Sequence, residues 1–332
     1  MLKGYSNKTV SLALAVYNGM PYLQEQLESF SRQTVLPSEL IIFDDGSTDA
    51  SVEVCRSFAA NVSFKVAVYE NKQNLGYTKN FEKALSMCTG EIVFISDQDD
   101  VWHDNKIEYI LNEFEKSDAN LIIHDLMLCD NNMIPINETK LERIISYTDP
   151  MNSYVTGMAT AVRRSFLSLC LPVPDGMEYD NWIHKCASLV ETKEIVNKVL
   201  ADYRRHSSNV TAGRAVNSLD PMKKPSRRKK KHRSLTNSIK RKYESSYNLL
   251  NWLNNNADFI ENILGESSLN MIGITRRMED KVRRNENRLL IRNSKNIISR
   301  VEKGLRYLTK DNYGSFRFHR GFRDFLKDII VC

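Results

Sequence analysis

Three sets of acidic residues carry side chains that a fold alone does not require. Asp44 and Asp45 lie in Phe43-Asp44-Asp45-Gly46-Ser47-Thr48-Asp49, and Asp97, Asp99 and Asp100 in Ser96-Asp97-Gln98-Asp99-Asp100-Val101-Trp102. Asp180 stands apart in Glu178-Tyr179-Asp180-Asn181-Trp182. One Asp-rich turn can be turn or capping chemistry, and Asp49 fits that description, just before the helical run Ser51–Ala59. Two such clusters are different. Carboxylates gathered together repel one another unless a positive group neutralises them, and a divalent cation commonly does so. Oxygen donors favour magnesium, manganese or calcium over zinc or copper. A single carboxylate such as Asp180 can take a proton from a nucleophile. Its second reading is a helix N-cap, since Asn181-Trp182-Ile183 looks like a helix start.

The clusters follow short apolar runs. Val10–Val16, Leu40–Phe43, Phe64–Tyr69 and Ile92–Ile95 suit buried strands, and the first of them ends in Tyr17-Asn18-Gly19. Between them lie helical stripes: Tyr22, Leu23, Leu27 and Phe30; Phe81, Ala84, Leu85 and Cys88; then Ile107, Ile110, Leu111 and Phe114. This rhythm predicts an α/β fold, a mostly parallel sheet with helices on both faces. Ligands of such sheets bind beyond the carboxyl ends of the strands, where the acidic clusters fall.

V-S-L-A-L-A-V-Y-N-G, E-L-I-I-F-D-D-G-S-T-D, N-L-G-Y-T-K-N-F and F-I-S-D-Q-D-D-V-W follow one another in order, and T-G-M-A-T-A-V-R-R, P-D-G-M-E-Y-D-N-W and Y-R-R-H-S-S-N-V continue the series. Together they resemble the family-two glycosyltransferases, inverting enzymes of the GT-A (Rossmann-like) fold, over about 1–213; the flavour is that of the bacterial surface-polysaccharide branch often described as rhamnosyltransferases. The resemblance implies transfer of a hexosyl or rhamnosyl group from a UDP- or dTDP-sugar to a glycan acceptor, with Mn²⁺ or Mg²⁺ as cofactor. It places Asp45 on the pyrimidine ring, Tyr17 and Ala15 beside the base, and Lys79 among the donor-binding residues. Ala15 departs from relatives that carry a hydroxyl residue there. Asp97 falls near the ribose, Asp99 on the metal, and Asp100 is a third acid without an assigned role. Asp180 matches the catalytic base, preceded by Tyr179 where relatives often carry an acid or histidine, with Glu178 as a second carboxylate nearby. His206 matches a residue completing the metal or diphosphate site, with a surface histidine as the equal alternative; Arg204 faces the diphosphate. His124, His184 and His319 read as structural, and Trp182 as core or acceptor wall.

The 332 residues are 42% hydrophobic and 27% charged, an ordinary globular composition that excludes wholesale disorder and a multi-span membrane protein. No apolar stretch approaches the roughly 18–20 residues of a spanning helix. The start of the chain shows no signal-peptide core, and the scattered cysteines carry no disulfide or zinc spacing, so the expected location is cytoplasmic. Charge is uneven: residues 1–216 have net −9 and residues 217–332 net +15. The expected organisation is a GT-A domain over 1–216 (donor half about 1–102, acceptor half about 103–216), a basic linker over 217–235 and a helical region over 236–332. Two stripes mark the last: Tyr243, Tyr247, Leu250 and Leu253, then Ile297, Ile298, Val301, Leu305 and Leu308 beside Lys295, Arg300, Lys303, Arg306 and Lys310. These read either as a bundle core or, with the basic run 223–233, as a footing on the anionic inner face of the cell membrane, close to a lipid-linked acceptor. No nucleic-acid-reading motif is present, so no nucleic-acid partner is expected. The rival functions are an inactive glycan- or nucleotide-binding scaffold of the same fold and, lower, a nucleotidyltransferase, for which Tyr17-Asn18-Gly19 offers no glycine- and lysine-rich phosphate loop.

Overall fold

In a computed structural model of the chain, residues 8–206, 229–264, 268–294, 296–308 and 328 are described. The chain divides into two compact units, Met1–Ser218 and Leu219–Cys332.

The first unit is built on a nine-stranded sheet. Its strands are β1 (Val10–Val16), β2 (Glu39–Asp44), β3 (Lys65–Glu70), β4 (Ile92–Ser96), β5 (Val101–Trp102), β6 (Leu121–Cys129), β7 (Pro135–Thr139), β8 (Thr160–Arg163) and β9 (Lys193–Arg204). They lie in the order β3-β2-β1-β4-β8-β6-β9-β5, with β7 paired to β6. The helices are α1 (Leu23–Ser31), α2 (Ser51–Asn61), α3 (Tyr77–Met87), α4 (Lys106–Lys116), α5 (Lys140–Ile145), α6 (Pro150–Ser153), α7 (Arg164–Cys170) and α8 (Tyr179–Leu189). β3, β2, β1 and β4 pair in parallel, as their short apolar runs alternating with helical stripes predict. Beyond β4 the sheet becomes mixed: β8 runs antiparallel to both β4 and β6, while β6 and β9 are parallel. The chain steps out from β1 to β2 and β3, then returns through α3 to β4 on the other side of β1. That reversal opens the crevice where such sheets bind ligands.

The expected stripes lie in the core. Leu23, Leu27 and Phe30 of α1, Phe81, Ala84 and Leu85 of α3, and Ile107, Ile110, Leu111 and Phe114 of α4 are all buried. Tyr22 is the exception, standing just outside α1 and half-buried. Trp182 is core: it is buried and its Nε1 donates to Cys170 O at 2.7 Å. His124 and His184 are structural, Nδ1 of the first lying 2.7 Å from Asp125 O and Nε2 of the second 2.8 Å from Thr160 Oγ1. His319 lies outside the described residues.

The second unit contains α9 (Lys229–Asn255), α10 (Ala257–Leu264), α11 (Ser268–Arg292) and α12 (Ile297–Leu308). Residues 223–228 of the basic run, Lys295 and Lys310 lie outside the described residues. The buried face of α9 is Ile239, Ser246, Leu249, Trp252 and Leu253, which corrects the stripe expected through Tyr243, Tyr247 and Leu250. Tyr247 is left 46% exposed, its ring stacked on Tyr243. α11 meets residue 328 through a buried ion cluster: Arg288 Nε donates to Asp328 Oδ2 at 2.6 Å and Arg292 Nε to Oδ1 at 2.9 Å. On α12 the bundle-core reading fails for part of the stripe, because Ile298, Val301 and Leu305 are exposed and Gly304 faces inward instead.

Candidate active site

β4 ends in Ser96, and the chain then turns through Asp97, Gln98, Asp99 and Asp100 into β5. The turn is fastened on two sides. Gln98 exchanges bonds with the end of β1, its Oε1 accepting from Tyr17 N at 2.8 Å and its Nε2 donating to Tyr17 O at 3.0 Å. Gly19 permits that approach, since a Cβ there would stand 2.9 Å from Gln98 Oε1. On the other side β5 pairs with β9, Val101 opposite Asp202, and so carries the end of β9 alongside the acidic turn. Arg204 N donates to Asp100 Oδ1 at 3.0 Å, and Arg204 Nε to Asp99 O at 2.9 Å. His206 Nε2 lies 2.8 Å from Asp99 Oδ2.

Tyr22 holds this arrangement from the α1 side. Its ring lies 4.8 Å from that of His206 and 4.6 Å from the Arg204 guanidinium, and its hydroxyl bonds Asn131 Oδ1. Arg204 also pairs with Glu25 and donates to Asn131 O at 2.9 Å. Tyr22 and Glu25 were thus hidden inside a helical pattern; no spacing signal distinguishes a half-buried tyrosine of a stripe from a core one.

Asp180 sits in the first turn of α8, whose N-cap is Glu178, so its N-cap reading does not hold. Its Oδ1 accepts from Asn181 N at 2.7 Å. Burial, with a contribution from Glu178, raises the proton affinity of its carboxyl above the ordinary aspartate range despite that bond and the pull of Lys140. Glu178 points elsewhere, toward Asn181 Nδ2 at 2.7 Å and the Tyr77 hydroxyl. Tyr179 stacks on Phe81 at 4.2 Å, and its hydroxyl occupies the space a side chain on Gly157 would fill. Desolvation, and after it the charges of Asp99 and Asp180, push the Asp97 carboxyl up to about 7, against Lys140 and Lys106. Asp100 is fully buried and pushed well up by burial and by Asp99 and Asp97. Asp97, Asp99, Asp100 and Asp180 therefore form one electrostatic unit, joined by His206, Arg204 and the lysines 106 and 140.

The donor-side residues lie at the ends of β1 and β2. Tyr17 is 47% exposed at the mouth of the crevice, and Ala15 is half-buried in β1 opposite Phe43. Asp45 has work the sequence did not reveal: Oδ1 accepts from Asn71 Nδ2 at 2.9 Å and Leu75 N at 2.8 Å, and Oδ2 from Gly76 N at 2.9 Å. Asn80 of α3 continues the network, accepting from Asn71 and donating to Phe43 O at 2.8 Å. Lys79 pairs with Glu82 at 3.1 Å on its own helix. Asp49 bonds Ser51 and Met20 N, fastening the first loop to the start of α2.

Residues 11–167 match the sequence model of glycosyl transferase family 2. That segment is a family 2 glycosyltransferase domain. A Nostoc protein (strain PCC 7120), named uncharacterized glycosyltransferase alr2836, is 28% identical over 214 residues, or 60% of this chain and 66% of its own length. The chain thus spans just under two thirds of that relative. Among solved structures, S. aureus TarS 1-349 in complex with UDP-GlcNAc superposes with a TM-score of 0.55 at 15% identity, covering 94% of this chain and 95% of TarS 1-349. The Pyrobaculum calidifontis mannosyltransferase PcManGT, in complex with GDP-Man and Mn²⁺, gives 0.51 at 14% identity, covering 92% and 76%. At these identities the likeness is one of fold. The family 2 domain has the GT-A fold and is followed by a helical C-terminal region.

The donor set of the family 2 domain fits a divalent cation of the magnesium–manganese kind. Asp99 Oδ2 and His206 Nε2 already converge, and the neighbouring carboxylates of Asp97 and Asp100 add oxygen donors beside them, their proton affinities raised by burial first and by the nearby negative charges second. Among the described residues no three His, Cys, Asp or Glu side chains enclose a metal position, so the remaining ligands would be diphosphate oxygens and water.

Proposed function

We propose that the chain is a metal-dependent, inverting glycosyltransferase that moves a hexosyl or rhamnosyl group from a nucleoside-diphosphate sugar to a glycan acceptor in bacterial surface-polysaccharide synthesis. The observation that carries this reading is the gathering of Asp97, the Asp99–His206 pair and the desolvated Asp180 at one end of the sheet. Asp99 and His206 would hold Mn²⁺ or Mg²⁺, which when bound supplies a Lewis acid for the negative charge on the diphosphate. Asp97 faces the ribose, and Tyr17 packs on the base beside Ala15. Asp45 retains one lone pair on Oδ2 beyond its loop bonds, an acceptor for the ring N–H of uracil or thymine and the basis for preferring a UDP- or dTDP-sugar. Lys79 completes the donor-binding set.

Asp180 is the base. Its raised proton affinity suits the removal of the acceptor hydroxyl's proton as that oxygen attacks the anomeric carbon. The new C–O bond forms on the face opposite the departing diphosphate, which leaves with the electron pair of the broken bond, and the configuration inverts. Arg204 holds the Asp99 backbone and lies beside the leaving group.

The helical unit serves attachment to an anionic membrane surface, where a lipid-linked acceptor would be presented. Support comes from the net +15 charge of residues 217–332 and from Ile298, Val301 and Leu305 exposed on α12 near Lys303. No helix among the described residues is long and apolar enough to cross a membrane.

Asp180→Asn tests the catalytic reading. The variant should bind the nucleotide as tightly as the parent while the rate of sugar transfer falls roughly 10²- to 10⁴-fold. Unchanged turnover would remove Asp180 from the chemistry, and no turnover by the parent with any nucleotide sugar would favour a binding scaffold.

A further inference from the structure

We propose that Tyr22 is a positioning residue for the cation site: packed at once against the His206 imidazole and the Arg204 guanidinium, it keeps His206 on Asp99 and so sets the affinity for Mn²⁺ or Mg²⁺. The inference rests on the metal-dependent reading above and deepens it with a residue that lies outside the acidic turn.

The two groups that meet Asp99 come from one short stretch. Arg204 Nε donates to Asp99 O at 2.9 Å, and His206 Nε2 lies 2.8 Å from Asp99 Oδ2. Sheet pairing carries this stretch as far as Arg205, whose N–H donates to Cys129 O at 3.0 Å, and His206 stands one residue past that bond. An imidazole turns about two side-chain torsions, and a bond through Nε2 fixes one edge of the ring while its plane is set by what packs against it. Tyr22 packs there, with the ring centroids 4.8 Å apart and the planes tilted by 35°. The same tyrosine ring carries the Arg204 guanidinium at 4.6 Å. One ring therefore backs both the backbone contact and the carboxylate contact made with Asp99.

Tyr22 is itself fixed at both ends. Its N–H donates to Gly19 O at 3.0 Å, its carbonyl accepts from Glu25 N at 3.1 Å, and the next residue, Leu23, is fully buried. At the far end its hydroxyl donates to Asn131 Oδ1. Asn131 belongs to a preformed turn, in which Asp130 Oδ1 accepts from Asn132 N at 2.8 Å and from Ile134 N at 2.9 Å. Arg204 Nη1 donates to Asn131 O at 2.9 Å, and the guanidinium pairs with Glu25 of α1. Tyr22, Glu25 and Asn131 thus form a clasp around the end of β9. Core packing does not account for the tyrosine: Leu23, Leu27 and Phe30 of α1 are buried, whereas Tyr22 stands outside the helix and half-buried. Groups that orient a metal-ligating histidine from behind are worth roughly 10- to 100-fold in metal affinity, and that is the effect assigned to Tyr22.

The test is calorimetric titration of Mn²⁺ into the full chain in the presence of whichever of UDP, dTDP and GDP the parent binds. Tyr22→Leu removes the ring and should weaken Mn²⁺ by roughly ten- to a hundredfold, while the nucleotide affinity measured in EDTA stays unchanged. Tyr22→Phe keeps the ring face and should recover most of the loss. Mn²⁺ affinity in Tyr22→Leu within twofold of the parent would overturn the assignment, including the case where only the metal-free melting temperature falls. Equal losses of Mn²⁺ affinity and of metal-free nucleotide affinity would mark a general distortion and overturn it too. So would equal weakening of Mn²⁺ in Tyr22→Phe and Tyr22→Leu, which would assign the effect to the hydroxyl. If Tyr22→Leu fails to fold, Tyr22→Met takes its place with the same limits. A parent that binds no Mn²⁺ would refute the metal-dependent reading itself, and this inference with it, so the two failures are distinguishable.

Discussion

Gly157→Ala tests whether the base is positioned as described. A Cβ at 157 would stand 2.0 Å from Tyr179 Oη and 3.1 Å from Tyr179 Cζ, with Ile95 Cγ2 at 3.5 Å. Ordinary carbon contacts begin near 3.5 Å, so the tyrosine tip must retreat by roughly 1.5 Å. It has no room to do so: Tyr179 is buried and stacked on Phe81 at 4.2 Å. The displacement passes into the first turn of α8, where Asp180 is the next residue. Overpacking of this kind costs about 1–3 kcal/mol, or roughly 2–12 °C in the melting temperature of a unit this size. A misplacement of about 1 Å at the base costs on the order of a hundredfold in transfer rate, with nucleotide affinity kept. The double variant Gly157→Ala/Tyr179→Phe removes Oη and leaves Cζ as the nearest atom, so it should recover at least half of both losses. The assays are thermal unfolding, nucleotide titration and initial transfer rates on all four proteins of the cycle. Failure of Tyr179→Phe to rescue, or a Gly157→Ala protein as stable and active as the parent, would refute the reasoning.

Further outcomes follow from buried charges. The raised proton affinity of Asp180 places the acid limb of kcat/KM above the ordinary aspartate range, because the base must be ionised to act; a pH–rate profile that falls only within the ordinary range would contradict this. Lys193 is buried, its ammonium donating to Met151 O at 2.9 Å and Tyr154 O at 2.7 Å, and burial outweighs Asp149 to bring it down to about 8 from 10.5. Between those values the unfolded chain binds the extra proton, so stability should rise with pH across the window by about 2–3 kcal/mol relative to Lys193→Met, measured by urea unfolding. In the helical unit, Asp328→Ala leaves the buried Arg292 and the half-buried Arg288 guanidiniums without their carboxylate and should destabilise that unit by roughly 3–5 kcal/mol, seen as lost amide protection in α11.

The parallel half of the sheet was legible because its strands are short, mostly apolar runs and each helix between them buries one stripe. The acidic turn and Asp180 were legible because periodicity does not explain carboxylates at strand ends. What the sequence did not show depends on pairings far apart in the chain. β5 is two residues long, yet its pairing with β9 brings His206 to Asp99, a contact separated by 107 positions. Tyr22 kept the phase of a core stripe while serving Arg204 and His206. In α9 the expected stripe holds only at Leu253, because Leu249 and Leu250 are neighbours of one kind and only packing decides which of them turns inward.

The most direct measurement is the melting temperature of the full chain with UDP, dTDP, GDP and CMP, each with and without Mn²⁺, for the parent and Asp99→Ala. A ligand that binds only the folded state raises apparent stability by about 2.7 kcal/mol at a hundred times its Kd. The account predicts stabilisation by UDP or dTDP that requires Mn²⁺ and disappears in Asp99→Ala. Absence of a response to every nucleotide, or a response indifferent to both metal and Asp99, would contradict it.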